Sequence, residues 1–304
     1  MRASVNVVYL IVNFPCFILA GLRMLLHGNL IIECCSLRND MARRIITLTT
    51  DFGLKDPYVA EMKAVILKIC IDAVIVDVSN QVEKFNVKMG AYILASASPY
   101  FPEGTINVAV VDPEVGTERR ALCIQTRHGY FIGPDNGVLV LAAKSQGIEH
   151  VYELTNSRFM MPNVSNTFHG RDVFSPAAAH LANGGLASDL GRQTRKITIP
   201  EFAKVAKRKA GLVGEVIHVD DFGNIITNIR EKEVGPMRTI DNVKIRMKNK
   251  WFTLRFCKAY GEVEPDEPLA LIGSHSFLEL SINQGNASRM FKVKNGDKVV
   301  LHPP

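Results

Sequence analysis

IITLTTDFGLKDPYVAEMKAVILKICIDAVIVDVSN, residues 45–80, decides the fold. Its first six residues, Ile45–Thr50, are isoleucine, threonine and leucine only, as in a strand buried on both faces. Asp56-Pro57 then marks a helix start, with Asp56 as N-cap and proline at the first helical position, where a missing N–H costs nothing. Val59, Met62, Ile66 and Ile69 follow at helical spacing and form one apolar stripe. Residues 73–78, AVIVDV, make a second strand that is apolar on both faces.

The same alternation continues downstream. A helical stretch over 87–100 leads into another buried strand at 106–111. Residues 41–205 are therefore expected to form an α/β domain with a mostly parallel central sheet and covered faces. Beyond residue 210 the pattern changes to short strands at 214–219, 224–229, 243–247, 251–256, 269–272, 277–282 and 298–301, joined by turn residues. No helical period competes there, so residues 210–304 are expected to be a small all-β barrel domain.

Upstream, residues 5–26 are apolar but interrupted by Asn6, Asn13, Pro15 and Arg23. Their length approaches a membrane span, and Arg2 before an apolar run also resembles a signal sequence, though no small-x-small cleavage site follows. The reading preferred is that Met41 is the working start, because strand Ile45–Thr50 follows it at once. Residues 1–40 are then an extension outside the fold, and no membrane association is expected.

Composition sets limits on function. The chain of 304 residues is 47% hydrophobic and 22% charged, with a formal charge of +6, which describes an ordinary globular protein. Arg195, Lys196, Lys204, Lys207, Arg208 and Lys209 crowd the interdomain linker. Phe202 is the one aromatic residue in that stretch, too little to stack a run of bases, so this is read as a solvated face rather than a nucleic-acid site. The six cysteines form no Cys-x-x-Cys pair, which spells out neither a zinc site nor a redox motif and fits a reducing, cytoplasmic compartment.

Four loops carry too many polar and glycine residues to be plain connectors. Residues 49–53, TTDFG, put Asp51 at a strand end, where a carboxylate can accept from a ribose diol, bind a metal, or simply cap a turn. Residues 112–119, DPEVGTER, run from a strand into Asp112 and return Arg119, a pair that is either structural or holds an ionised acceptor for water. Residues 167–172, TFHGRD, place His169 before a glycine, with a helix starting near Asp172. In the barrel, residues 220–224, DDFGN, pair with Ser274 in 273–279 and with Gly285-Asn286-Ala287, which hairpin chemistry alone could also explain. The segment 134–137, PDNG, reads as a structural turn. There is no Gly-x-Gly-x-x-Gly after the first strand and no phosphate-binding loop. The two Asp-Phe-Gly triplets lack the rest of a kinase signature.

Taken in order, ITLTTDFG, IVDVSN, FPEGTINVAVVDPEVGTERR, PDNG, TFHGRD, DDFGNIITNI and SFLELSINQGNA resemble the S-adenosylmethionine hydroxide adenosyltransferase family, relatives of the fluorinase and chlorinase. The resemblance spans residues 44–304 and none of 1–40. It implies an α/β domain, a barrel, and a homotrimer with substrate sites at subunit interfaces. It implies that Asp112, Arg119 and His169 hold and activate a water, and that Asp51 binds the ribose. Asp220 and Asn224, with Ser274 nearby, would contact the methionine portion. Asn286 and Ala287 align with the adenine-binding strand, and Phe85 would lie over the ribose. Halide-using relatives have an aromatic at position 112 and serine at 170; Asp112 and Gly170 place this chain with the water-using branch. Glu114, Asn80 and Gly273 depart from the usual glycine, histidine and asparagine. Glu114 either raises the pKa of Asp112 or points to solvent.

The reaction so implied is hydrolysis of S-adenosylmethionine (SAM) to adenosine and methionine by in-line attack at the 5′ carbon. The sulfur leaves as a neutral thioether and needs no acid; the task is to align water and accept its proton. Orientation of this kind is worth about 7–11 kcal/mol in well-placed intramolecular reactions. Asp112 would accept a hydrogen bond from the water, Arg119 would fix that carboxylate, and His169 would take up the proton. No metal and no cofactor beyond the substrate are called for. The competing expectations are a SAM or adenosine sensor without turnover, and a halide-using adenosyltransferase.

Overall fold

The computed structural model describes residues 45–208, 211–235 and 242–302; the readings made for residues 1–40 and for Met41 lie outside the described residues. Strands β1 (Ile45–Thr50), β2 (Val74–Ser79), β3 (Thr105–Val110), β4 (Ala121–Thr126), β5 (Gly129–Pro134), β6 (Ile148–Leu154) and β7 (Gly191–Gln193) form one sheet in the order β2-β1-β3-β5-β4-β6-β7. The half β2-β1-β3-β5 is parallel, as the alternation of strands and helices implied. The other half is antiparallel, which makes the sheet mixed. Only two residues separate β4 from β5, enough for a hairpin and too few for a crossover helix.

Helices α1 (Tyr58–Ile69) and α4 (Ser175–Ala182) cover one face of this sheet, while α2 (Val87–Ala97) and α3 (Val140–Gln146) cover the other. Alternate residues of β3 divide accordingly: Ile106, Val108 and Val110 join the first core, Ala109 the second. Four sequence expectations are corrected. Pro57, not Asp56, occupies the N-cap of α1, already in helical geometry and without a side-chain cap. Ile69, 40% exposed, falls off the buried stripe that Val59, Met62 and Ile66 complete. Strand β2 is half-exposed rather than buried on both faces, because it pairs only with β1 at the sheet edge. The helix after Asn86 stops at Ala97 and tightens into a 3₁₀ turn, Ser98–Tyr100, where Pro99 breaks the α-helical bonding.

The second sheet closes. Strands β8 (Ala206–Arg208), β9 (Gly211–Val219), β10 (Ile225–Arg230), β11 (Asn242–Met247), β12 (Lys250–Cys257), β13 (Pro268–Ile272), β14 (Phe277–Ile282) and β15 (Lys298–His302) follow one another in sequence. Their order is β10-β14-β13-β12-β11-β15-β9, and β9 pairs back onto β10, giving a seven-stranded barrel with β8 added outside on β9. Strand β8 thus lies in the stretch read as a linker. The barrel also holds two short helices that the sequence reading omitted, α5 (Glu231–Val234) and α6 (Ala287–Phe291). Each is about one turn, below the length at which apolar periodicity becomes legible.

The barrel's outer face packs on α2. Ile217, Ile226 and Phe277 enter the same core as Ala91, Tyr92 and Leu94. Buried Glu215 on β9 meets Lys88 of α2 at 2.7 Å across that seam and Lys298 of the neighbouring strand β15 at 2.6 Å. Among the described residues no helix is long and apolar enough to cross a membrane.

Candidate active site

Strand β3 ends at Val110, and two residues later the chain reaches Asp112 at the carboxyl edge of the parallel half-sheet. The loop then turns through Gly116 (φ +78°) and brings Arg119 back onto Asp112. Arg119 Nε donates to Asp112 Oδ1 at 3.1 Å and Oδ2 at 2.9 Å, and Nη2 donates to Oδ2 at 2.5 Å. Both side chains are about 95% buried. Glu114 is exposed, so of the two readings for it the solvent-facing one holds.

His169 arrives from a different part of the chain and completes the group. Its Nδ1 accepts from Arg119 Nη2 at 2.7 Å. Guanidinium is only a donor, so Nδ1 must carry the lone pair and the neutral ring must keep its hydrogen on Nε2. Burial and the Arg119 charge push the His169 pKa below its ordinary 6.5, while Asp112 and Asp172 push the other way. The imidazole is thereby held neutral and presents an N–H, not a basic nitrogen, on its open side. That differs from the proton acceptor expected from sequence.

The residue after His169 must be small. A Cβ on Gly170 would meet Met62 Sδ and Phe168 Cε2 at 3.2 Å and Phe52 Cε2 at 3.4 Å. Gly170–Phe174 winds as a π-helix into α4, in place of the ordinary helix start expected near Asp172. Phe52, Tyr58 and Phe168 meet in tilted and edge-on contacts at 5.3–5.8 Å beside this glycine. This aromatic group ties His169 to the neighbouring loop that carries Asp51.

Asp51 directly follows β1 and is buried. Its Oδ2 accepts the N–H of Phe85 at 2.8 Å, and its backbone carbonyl accepts Lys84 Nζ at 2.5 Å. Phe85 has φ +64°, rare for an aromatic residue, and its side chain is 68% exposed. Strain of this kind, of order 1–3 kcal/mol, collects at ligand sites. Phe85 also lines a cavity of about 430 Å³ with Glu83, Asn86, Lys88, Asn136 and Asn295.

The barrel residues form a separate group. In the turn between β9 and β10, Asp220 Oδ1 accepts the backbone N–H of Asn224 at 2.8 Å and Oδ2 accepts Asn224 Nδ2 at 2.9 Å. Phe222 in the same turn is 80% exposed. Asn286 packs against Gly223, where a Cβ would lie 2.1 Å from its side chain. Asn286 and Ala287 are not on a strand: Asn286 caps α6 by accepting the N–H of Arg289, and Ala287 is wholly buried in the barrel core. Ser274 is exposed in the loop between β13 and β14. Its neighbour His275 reaches the hydroxyl of Tyr92 on α2 at 3.4 Å.

The site residues therefore fall into two groups, Asp112–Arg119–His169 and Asp51–Phe85 in the α/β part, and Asp220–Asn224 with Asn286 packed beside it in the barrel. Among the described residues no hydrogen bond joins the first group to the second. Sequence reasoning missed Lys84, Tyr92 and His275, whose roles arise from contacts across the fold and leave no local pattern. It also left Arg171 and Asp172 as motif letters without a task.

Residues 46–191 match the model of the SAM hydroxide adenosyltransferase N-terminal domain, and residues 214–300 that of its C-terminal domain. The chain is 40% identical over 268 residues to the (R)-S-adenosyl-L-methionine hydrolase of Methanocaldococcus jannaschii, covering 84% of this chain and 95% of that one. It is 36% identical to the enzyme of the same name from Thermus thermophilus, covering 85% and 99%. A crystal structure of an uncharacterized conserved protein from Thermotoga maritima superposes with a TM-score of 0.77 at 38% identity, over 85% of this chain and all of that one. With both domain models matched in order across the two sheets described above, the chain belongs to the SAM hydroxide adenosyltransferase family.

Proposed function

We propose that this protein hydrolyses SAM to adenosine and methionine, acting on the (R) configuration at sulfur that its relatives' name specifies. The observation that carries the proposal is the Asp112–Arg119–His169 group, with its ion pair buried, at the carboxyl edge of the parallel strands, where α/β folds bind their ligands. Water attacks the 5′ carbon; a carbon–oxygen bond forms as the carbon–sulfur bond breaks, and its electron pair stays on sulfur as the neutral thioether of methionine. The water proton passes to Asp112, which retains acceptor capacity because its two oxygens offer about four lone-pair sites against three Arg119 contacts. His169 takes a different part from a base: its Nε2–H donates to the water oxygen and fixes the lone pair that attacks. Arg119 sets the geometry of both partners.

We assign Asp51 and Phe85 to the ribose, and Asp220, Asn224 and Ser274 to the methionine portion. The buried Ala287 side chain leaves only backbone for adenine at that position, with Asn286 beside it. The two groups of site residues support a homotrimer in which the barrel turn of one copy completes the α/β site of the next; sedimentation should return three copies. We propose no metal or added cofactor, since the leaving group departs neutral, and no nucleic-acid or membrane partner. Buried Cys70, Cys123 and Cys257, which form no disulfide among the described residues, fit the reducing cytoplasm.

The test is incubation of the protein with each sulfur epimer of SAM in ¹⁸O-water. Adenosine carrying the label, formed with an equal amount of methionine from the (R) epimer, is expected. SAM bound but left intact would instead identify a sensor. Asp112→Asn should lower the turnover by about 10²–10⁴-fold while SAM still binds.

A further inference from the structure

Asp172 is 1% exposed and takes part in a set of contacts that the reaction as proposed does not use. It sits inside the π-helix three residues after His169. One carboxylate oxygen, Oδ2, accepts the backbone N–H of Ser165 at 2.9 Å. Arg171 donates to it twice, from Nε at 2.7 Å to Oδ1 and from Nη2 at 3.1 Å to Oδ2. The Asp172 carbonyl accepts the N–H of Met161 at 2.8 Å. The Asp172 N–H donates to the Phe168 carbonyl at 3.1 Å, so segment 161–168, which delivers His169, is pinned at both ends to one residue.

Arg171 extends the fixation outward. Its Nη1 donates to Glu61 of α1 at 2.9 Å, and its guanidinium lies 5.1 Å from the centre of the Phe168 ring. On the opposite side, segment 161–168 touches the loop that carries Asp112 and Arg119: a Cβ on Gly116 would fall 2.1 Å from the Asn166 carbonyl. The pinned segment therefore lies between the anchor at Asp172 and the loop bearing the other two members of the bonded group.

We infer that Asp172 is a positioning residue, which holds segment 161–168 and the Arg171 side chain so that His169 meets Arg119 and the Asp112 loop keeps its place. The inference rests on the proposed hydrolysis for its kinetic consequence, but its geometric content is independent of that activity. A carboxylate is required because three N–H groups from two residues converge on it, more than an amide oxygen can accept while its NH₂ faces the same donors. The charged groups that face His169 are Arg119 and Asp112 from the 112–119 loop and Asp172 from the π-helix.

The decisive variant is Asp172→Asn, made in the full chain. It should reduce kcat by about 10²-fold, the order expected from misplacing a reacting group by an ångström, with KM for SAM within about twofold. The acid limb of the kcat profile should move to lower pH, because the lost charge favours the protonated imidazole. An NMR titration of the His169 ring should move the same way, whether or not the protein turns SAM over. Arg171→Lys keeps the charge but not the paired geometry, and should lie between wild type and Asp172→Asn in kcat. Unchanged kcat and an unchanged His169 titration in Asp172→Asn would overturn the inference. So would a loss of activity matched by lowered thermal stability with both titrations unmoved, since that outcome marks a residue of the fold alone. If Asp172→Asn does not fold, Arg171→Lys decides: wild-type kcat in that variant sinks the positioning role. Absence of adenosine from the wild-type protein would end the proposed hydrolysis, while the ring titration would still judge Asp172.

Discussion

The guanidinium of Arg119 touches Asp112 and His169 together, and because it only donates, the imidazole beside it has one protonation state compatible with the contact. Protonating His169 at Nδ1 would set an N–H against an N–H and release the ring. Since burial and Arg119 lower its pKa, the neutral form persists below pH 6.5. Adenosine formation should therefore hold through pH 6.5 and fall only at lower pH, as His169 gains its proton. A kcat profile with its acid limb at or above 6.5 would contradict this arrangement. Gly116 gives a second expectation at this scale. Gly116→Ala must place a methyl at 2.1 Å from the Asn166 carbonyl and adopt φ +78°, a backbone cost of about 1–3 kcal/mol before the clash is relieved. Denaturant unfolding should show at least that loss, and turnover should fall with it because the loop bears Asp112 and Arg119. Asp112, Arg119 and His169 were legible as members of ordered motifs. Their hydrogen-bond directions were not, because a sequence does not say which ring nitrogen an arginine will meet.

At the scale of elements, legibility followed the source of each element's stability. Strands such as β1 and β14 are specified locally by β-branched and apolar runs, and their observed ends coincide with the sequence reading. Strand β2 has the same composition but lies at the edge, and its exposure depends on a neighbour it lacks. Helices α5 and α6 are stabilised by caps and by Val234, Ala287 and Phe291 in the barrel core rather than by periodicity. The π-helix has no pattern of its own; it exists where His169 must be presented and Ser175 Oγ can donate to the Gly170 carbonyl at 2.8 Å. Phe277 on β14 tests how elements of the two sheets are joined. It is 2% exposed, contacts Tyr92 of α2 at 5.5 Å, and lies 3.8 Å from the Arg230 guanidinium. Phe277→Ala should cost about 3–5 kcal/mol in denaturant-measured stability. A loss below 1 kcal/mol would mean that the seam between α2 and the barrel contributes little.

For the whole molecule, the mixed sheet and the closed barrel divide the proposed work: the first places the Asp112–Arg119–His169 group, the second presents the turn assigned to the methionine portion. The division into an α/β part and a barrel was readable because the hydrophobic period changes near residue 210. The hairpin half of the sheet was not, since runs of apolar residues do not state the direction in which a strand returns. Barrel closure has a kinetic consequence. The hairpin of β9 and β10 joins neighbours in sequence, but β10 completes the ring by pairing Ile225 with Leu280, across most of the barrel's chain. Local pairings form before those that close long loops. The single tryptophan, Trp251, lies on β12 within the local hairpin with β11, so its fluorescence should recover early in refolding. Competence to bind SAM should lag behind it, because Asn286, which follows β14, packs onto Gly223 in the β9–β10 turn only when the ring shuts.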